Sequence, residues 1–192
     1  MTLAQIVALA LRQLDEDPAD IAEYEELFTL YANEGCNIAV LEYLKPREAI
    51  DLKSNEHGDI PITGMGIERV VEVRHVREDG RIHFNVPFEL DPSGLYIHTP
   101  YKDKHMLVLC EKRPVPMETL EDEPKMQPAA HAALVDYICY RHLLNGNMAK
   151  QQRAQQYLQA FYAAMRRLTP QGFGSVRREI NLYTATDIRR WW

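Results

Sequence analysis

The first 46 residues carry apolar positions with the period of an amphipathic helix. In the opening segment these positions are Leu3, Ile6, Val7, Ala10 and Leu14. Thr2 followed by Gln5 is the sequence of a capping box, in which each residue satisfies a free backbone N–H group at a helix start. This pattern predicts a first helix that ends near Leu14.

A second, longer amphipathic pattern follows a break at Asp17-Pro18, where the residue before proline is disfavoured in a helix. Its apolar stripe is Ile21, Tyr24, Phe28, Tyr31, Ala32 and Ala39. Gly35 inside this run costs a helix about 1 kcal/mol relative to Ala, unless it serves to let another element pack closely. Pro46 marks the end, so residues 1–46 are predicted to form the first part of a helical core.

Between residues 47 and 114 the pattern changes to the two-residue alternation of half-buried strands. One predicted strand covers 82–86, another lies around Val71 and Val73, and Asp79-Gly80 supplies the hairpin turn between them. Two further strands are expected at 95–98 and 106–110, with an edge strand at 47–52. We therefore expect residues 47–114 to form a small antiparallel sheet inserted between helices.

The remaining segments are predicted to be an acidic, proline-rich linker (115–127), a helical hairpin (128–168) and a C-terminal docking tail (169–192). Pro128 suits the first turn of a helix, and Asn145-Gly146-Asn147 is typical of a short turn between antiparallel helices. The predicted fold class is α+β: mainly a helical bundle of about four helices, with a small antiparallel β insertion and an extended C-terminal tail.

The C-terminal end differs in charge from the rest of the chain. The net charge is −6, but residues 1–140 carry −13 and residues 141–192 carry +7. The tail also contains Tyr183, Trp191 and Trp192, and burying a large aromatic side chain contributes roughly 2–3 kcal/mol. Because Trp, Tyr and Arg are frequent anchors of interfaces, we predict a docking element that becomes ordered on a partner. The alternative is an unstructured terminus.

No sequence pattern indicates catalysis, a cofactor or a metal. The chain lacks G-x-S-x-G, H-E-x-x-H and a phosphate-binding loop. His75 and His83 can face each other across the predicted hairpin. His131 and His142 lie about 16 Å apart along one helix, too far to share an ion. We expect the protein not to be an enzyme.

Cysteine spacing and hydropathy argue against a disulfide-bonded, zinc-binding, membrane-spanning or secreted protein. Cys36, Cys110 and Cys139 lie far apart without C-x-x-C spacing, so reduced, mostly buried thiols are expected rather than disulfides or a zinc site. No run of 18 apolar residues occurs, and the first residues lack the basic region of a signal peptide. Neither a membrane span nor a secretory leader is expected.

The order of predicted elements resembles that of the head–tail connector (adaptor) proteins of tailed bacteriophages. The local similarity lies in residues 126–137, with a proline followed by small residues, His131 and Leu134-Val135. It continues through residues 140–147, which include the Asn-Gly-Asn turn, and through the Tyr- and Phe-bearing segment 155–162.

The resemblance implies a structural virion protein of the neck, present in the host cytoplasm before assembly. Such subunits form a ring, commonly of twelve, that docks under the portal protein, receives a tail or nozzle protein, and lets the genome DNA pass through its lumen without specific binding. The implied portal contacts are Arg177, Arg178, Ile180, Leu182, Tyr183, Ile188, Arg189, Arg190, Trp191 and Trp192. The implied tail or nozzle contacts are Glu78, Asp79, Gly80, Lys102, Asp103 and Lys104.

Two other functions remain open at this stage. One is another phage tail-completion or tail-tube subunit, which differs from a connector in its ring partner. The other is a small DNA-binding regulator that uses the basic C-terminal end, and a steep salt dependence of DNA binding would identify it. The acidic body argues against the regulator, because phosphate neutralisation needs clustered Lys and Arg.

Overall fold

The computed structural model describes residues 1–169 of the 192-residue chain. The four α-helices are α1 (Leu3–Gln13), α2 (Ile21–Ile38), α3 (Pro128–Leu143) and α4 (Met148–Leu168). A 3₁₀ turn (Pro18–Asp20) precedes α2, and a π-helical segment (Ala39–Leu44) continues it. The strands are β1 (Arg47–Lys53), β2 (Asp59–Pro61), β3 (Ile67–Val76), β4 (Ile82–His83), β5 (Glu89–Leu90), β6 (Tyr96–His98) and β7 (His105–Lys112).

The predicted fold class, mainly a helical bundle with a small insertion, is wrong. Besides the four helices, the described residues form two antiparallel sheets of four and three strands, and about 21% of the residues are in strands. The two sheets share a core of their own, which includes Ile60, Val73, Ile97 and Val108. Several strands are only two or three residues long, which is too short for alternation to be recognised in the sequence.

The larger sheet has the order β1-β7-β3-β4 and the smaller one β2-β6-β5. Met106, Val108 and Cys110 alternate along the central strand β7 and are all fully buried, as period-two patterning requires. The edge position predicted for the first strand is confirmed, since among the strands of residues 1–169 β1 pairs with β7 alone. The strand expected over 82–86 is shorter than predicted: only Ile82–His83 pair with β3, and a single later bond joins the Val86 N–H to the Val73 carbonyl.

Local signals for the helix ends are confirmed. Thr2 and Gln5 make both hydrogen bonds of the capping box, and the Asn147 side chain caps α4 by accepting from the Lys150 N–H group at 3.0 Å. The break at Asp17 is a capped 3₁₀ turn, in which the Asp17 carboxylate accepts from the Ala19 N–H group. Lys45, in the left-handed conformation (φ 41°), ends the π-helical segment just before Pro46.

Helix α3 lies at the centre of the helical layer. It packs against α1, α2 and α4, and nine of its residues are buried. Ala130, near its start, clusters with Met165, near the end of α4, so the two helices run antiparallel as predicted. Gly35 of α2 has a packing role, because a Cβ atom there would lie 2.8 Å from the Tyr137 ring of α3.

The helices and the sheets have separate hydrophobic cores. No helix and strand share an extended contact within residues 1–169. The chain leaves the helical layer at the start of β1 and returns after β7, and these strand ends are paired, Arg47 opposite Glu111. The opposite ends of the same strands, Lys53 and His105, are also paired. At about 3.3 Å per residue they lie roughly 20 Å farther from the helices along the strands.

Candidate interaction site at the far end of the sheet

The two loops that the resemblance assigned to tail contact lie next to each other. The β3–β4 turn contains Glu78, Asp79 and Gly80, and it is closed by a hydrogen bond from the Gly80 N–H group to the Arg77 carbonyl. The loop containing Lys102, Asp103 and Lys104 leads into β7. Because β3 ends where β7 begins, with Val76 paired to His105, both loops come to the far end of the sheet. Lys104 Nζ lies 3.8 Å from Glu78 Oε1.

A third loop, residues 54–58, fixes the segment before β7. The Ser54 N–H group donates to the Lys104 carbonyl, and the Asp103 N–H group donates to the Asn55 carbonyl, each at 3.0 Å. The Asn55 side chain accepts in turn from the Asp59 N–H group at 2.8 Å. Asp103 has a left-handed backbone (φ 54°), a conformation that Asp tolerates better than most residues. The loop is therefore held by backbone bonds, which leaves its charged side chains available for a partner.

The β3–β4 turn and the segment before β7 line an open cleft of about 530 Å³, to which loop 54–58 contributes no lining residue. Its lining residues are Asp51, His75, Val76, Arg77, Glu78, Asp79, Asp103, Lys104 and His105. The cleft contains both signs of charge, and its ion pair between Lys104 and Glu78 is exposed. Exposed ion pairs contribute little to folding stability. These charged side chains can therefore leave their present partners and bind groups of another protein at a low cost in free energy. Such a surface suits contact with another protein.

Two histidines of this region, His75 and His83, lie opposite each other. The predicted juxtaposition of His75 and His83 is confirmed by their direct pairing across β3 and β4. Burial, followed by the nearby charges of Lys104, His83 and Arg77, lowers the pKa of His75, and its ring lies 4.7 Å from that of Tyr101. Among residues 1–169 no group of three or more His, Cys, Asp or Glu side chains is arranged to hold a metal ion.

An Asp–His–Asp cluster in the smaller sheet was not predicted. His98 Nδ1 lies 2.6 Å from Asp59 Oδ1, and its Nε2 lies 3.9 Å from Asp91 Oδ1. The hydrogen bond with Asp59 raises the pKa of His98 and lowers that of Asp59. The Ser93 hydroxyl donates to Asp91 and not to His98, so the cluster is not a Ser–His–Asp relay. The strand register that places Asp59 opposite His98 is not visible in the sequence.

The three cysteines are free and buried, as predicted. Burial raises the pKa of the Cys36 thiol to about 11 and that of Cys139 to about 12. Since the thiolate is the reactive form, neither position suits a nucleophile. The remaining helix-borne histidines have local partners: the His131 Nε2–H group bonds to the Met126 carbonyl, and His142 packs edge-on against Phe28.

The ten residues predicted to contact a portal lie outside the described residues, and so do the other residues of 170–192. Within residues 1–169 no helix is both long and apolar enough to cross a membrane. No protein-family model matches the chain, and no curated protein matches its sequence.

Proposed function

We propose that this chain is a head–tail connector (adaptor) subunit of a tailed bacteriophage. In this role it forms a ring under the portal, joins the capsid to the tail, and contributes to the channel for the genome. The observation that carries the proposal is the order of elements: a helical layer whose central hairpin, α3–α4, closes through Asn145-Gly146-Asn147 and leads directly into the basic aromatic segment.

Two further properties are consistent with this role. The six residues of the candidate tail contact, Glu78–Gly80 and Lys102–Lys104, come from separate loops and lie at one end of the sheet. That end is opposite to the one at which the chain leaves the helices. A portal-docking segment after α4 and a tail-docking surface at the far end of the sheet would give the subunit two separate binding regions.

The charge of the described residues suits a channel for DNA. Residues 1–169 carry a net charge of −8. A lumen lined with Lys and Arg would slow the DNA, because each contact of such a side chain with a DNA phosphate adds to the non-specific affinity. An acidic body instead allows DNA to slide.

Electron microscopy of the protein mixed with the portal ring encoded in the same genome tests the proposal. We expect a second ring stacked on the portal with the full chain, and no second ring with a variant lacking residues 176–192. A ring that survives truncation would keep the connector function and move the docking site elsewhere. If the intact portal binds neither protein, the connector function is wrong, and steep salt-dependent DNA binding would then favour the regulator.

A charge reversal tests the sheet end separately. Glu78→Lys removes the carboxylate that faces Lys104 and puts like charges together. We expect this variant to form the ring on the portal but to join tails poorly. The matched control is Glu56→Lys, because Glu56 is also highly exposed and lies in the adjacent loop 54–58. Equal tail joining by both variants would remove this surface from the proposal.

A further inference from the structure

One side of α2, continued by the π-helical segment, exposes large apolar residues. Leu27, Leu30 and Leu41 are 40%, 53% and 37% exposed, while Phe28, on the opposite side, is fully buried. Leu27 and Leu30, three residues apart, lie on one side of α2, and Leu41 follows about three helical turns later in the π-helical segment. The α2 outer face is defined by the exposed residues Glu23, Glu26, Leu27, Leu30 and Asn37 of α2, together with Leu41 of the π-helical segment. Single exposed leucines are ordinary, but a row of them marks a contact surface.

Helix α4 exposes a face of opposite charge with small residues. The α4 outer face is defined by the exposed residues Gln152, Gln156, Gln159, Ala160, Ala163, Arg166 and Arg167. Helix α4 contains no Asp or Glu, and α2 contains no Lys or Arg. Their lengths also match: 18 and 21 residues correspond to about 27 and about 31 Å.

The charged ends of both faces have no ion-pair partner within residues 1–169. This holds for Glu23 and Glu26 at the start of α2, and for Arg166 and Arg167 at the end of α4. The helix dipole favours negative charge at the start of α2 and positive charge at the end of α4. It accounts for these charged residues but not for the exposed leucines that follow them on α2.

The two outer faces are different surfaces of the same subunit. Both helices pack on the central helix α3, and α4 meets the α2 region chiefly at the π-helical segment. Each outer face therefore points away from α3, and the two cannot cover each other within one chain. A contact between them must join two copies, and a head-to-tail contact of this kind closes into a ring or continues as a filament.

We propose that the α2 outer face of one copy packs antiparallel against the α4 outer face of the next copy. This interface rests on the proposed ring function and identifies the subunit contact within it. Placing Glu23 and Glu26 against Arg166 and Arg167 fixes the alignment. Equal steps inward from the charged ends then bring Leu27 opposite Ala163, and Leu30 opposite Ala160. The alanines leave space for the leucine side chains, so the helices can approach closely.

Cysteine cross-linking of the full chain tests this alignment. Leu30→Cys and Ala160→Cys are prepared as separate variants, mixed at the highest soluble concentration, and oxidised with copper phenanthroline. The native thiols interfere little, since Cys36, Cys110 and Cys139 are at most 2% exposed. The control replaces Ala160→Cys with Glu56→Cys, a highly exposed position in loop 54–58.

We expect a disulfide-linked dimer only in the mixture of Leu30→Cys with Ala160→Cys. Cross-linking of Leu30→Cys alone would mean that two α2 faces meet symmetrically, and it would overturn the proposal. Absence of the mixed dimer, or an equal yield with Glu56→Cys, would also overturn it.

Charge reversal provides a second measurement. Glu23→Lys with Glu26→Lys places like charges opposite Arg166 and Arg167, and should lower the cross-linking yield by about tenfold or more. Adding Arg166→Glu and Arg167→Glu to the Ala160→Cys partner should restore it, and failure to restore it would contradict the charge pairing.

These results are separable from the portal experiment. A ring stacked on the portal without the mixed disulfide keeps the connector function and removes this interface. The mixed disulfide without a stacked ring keeps the interface and removes the connector function.

Discussion

Gly58→Ala probes the tight contact between the loop before β2 and the residue after β6. Gly58 has φ +91°, and a Cβ atom there would lie 2.1 Å from the Thr99 carbonyl oxygen. Its own carbonyl accepts from the Thr99 N–H group at 2.9 Å and from the Thr99 hydroxyl at 3.2 Å. A left-handed backbone costs an L-residue about 1–2 kcal/mol. Moving Thr99 away sacrifices up to two hydrogen bonds of about 0.5–1.5 kcal/mol each, so we expect a total loss of about 2–5 kcal/mol.

Gly64→Ala is the matched control, because Gly64 also has a positive φ (+73°) but no heavy atom within 4 Å of its added Cβ. It should lose only the backbone contribution of about 1–2 kcal/mol. Hydrogen exchange of the Thr99 and Ile97 amides measures the local free energy of opening, and each 1.4 kcal/mol lost speeds exchange about tenfold. If the two variants differ by less than about 0.5 kcal/mol, the Thr99 carbonyl moves aside at no cost and the reasoning is refuted.

Three further predictions concern other parts of the fold. Asn33→Ala removes two hydrogen bonds to the Met117 backbone, of 2.9 and 2.8 Å, and urea unfolding should show a loss of about 1–3 kcal/mol; no loss would mean that the linker does not depend on Asn33. Phe161→Ala empties a fully buried position and should cost about 3–5 kcal/mol in the same assay; a loss below about 1 kcal/mol would contradict close packing there. His98→Gln should lower stability most between pH 3.8 and 6.5, because the hydrogen bond with Asp59 raises the pKa of His98 from 6.5 and lowers that of Asp59 from 3.8. The difference should vanish as the pH rises through the folded-state pKa of His98 and shrink as the pH falls through that of Asp59, and NMR titration of the His98 ring measures the shift directly.

The helices could be predicted from the sequence because their signals are local. The capping box at Thr2, the proline at the start of α3 and the Asn147 cap each lie within four residues of the helix end they determine. The close approach at Gly35 could be suspected but not assigned, since its partner Tyr137 lies far along the chain.

The balance between helix and sheet could not be predicted, because the smaller sheet depends on long-range pairing. Strands β2 and β5 are three and two residues long and were not expected. Ile60 and Ile97, paired across β2 and β6, are buried in the core that the two sheets share. A single isoleucine in a short polar segment gives no period from which a strand can be recognised.

The candidate sites also combine local features that the sequence shows with long-range contacts that it does not show. The sequence singled out the turn at Asp79-Gly80 and the charged run at Lys102–Lys104, but only the pairing of β3 with β7 brings Glu78 close to Lys104. The sequence does not distinguish the exposed leucines Leu27, Leu30 and Leu41 from core positions. The apolar stripe that identified this helix runs along its buried side, and an exposed row is distinguished from a core row only when the packing is known.

The pairing of Arg47 with Glu111 has a consequence for how this protein can change. Paired Cα atoms in an antiparallel ladder lie only about 4.5–5.5 Å apart, so both crossings between helices and sheets lie side by side. The segment between them can therefore be lengthened, shortened or exchanged without altering the distance that the helical layer must span. Exchanging the segment between these two positions would give the unchanged helical layer a new set of loops at the far end of the sheet, and with them a different partner.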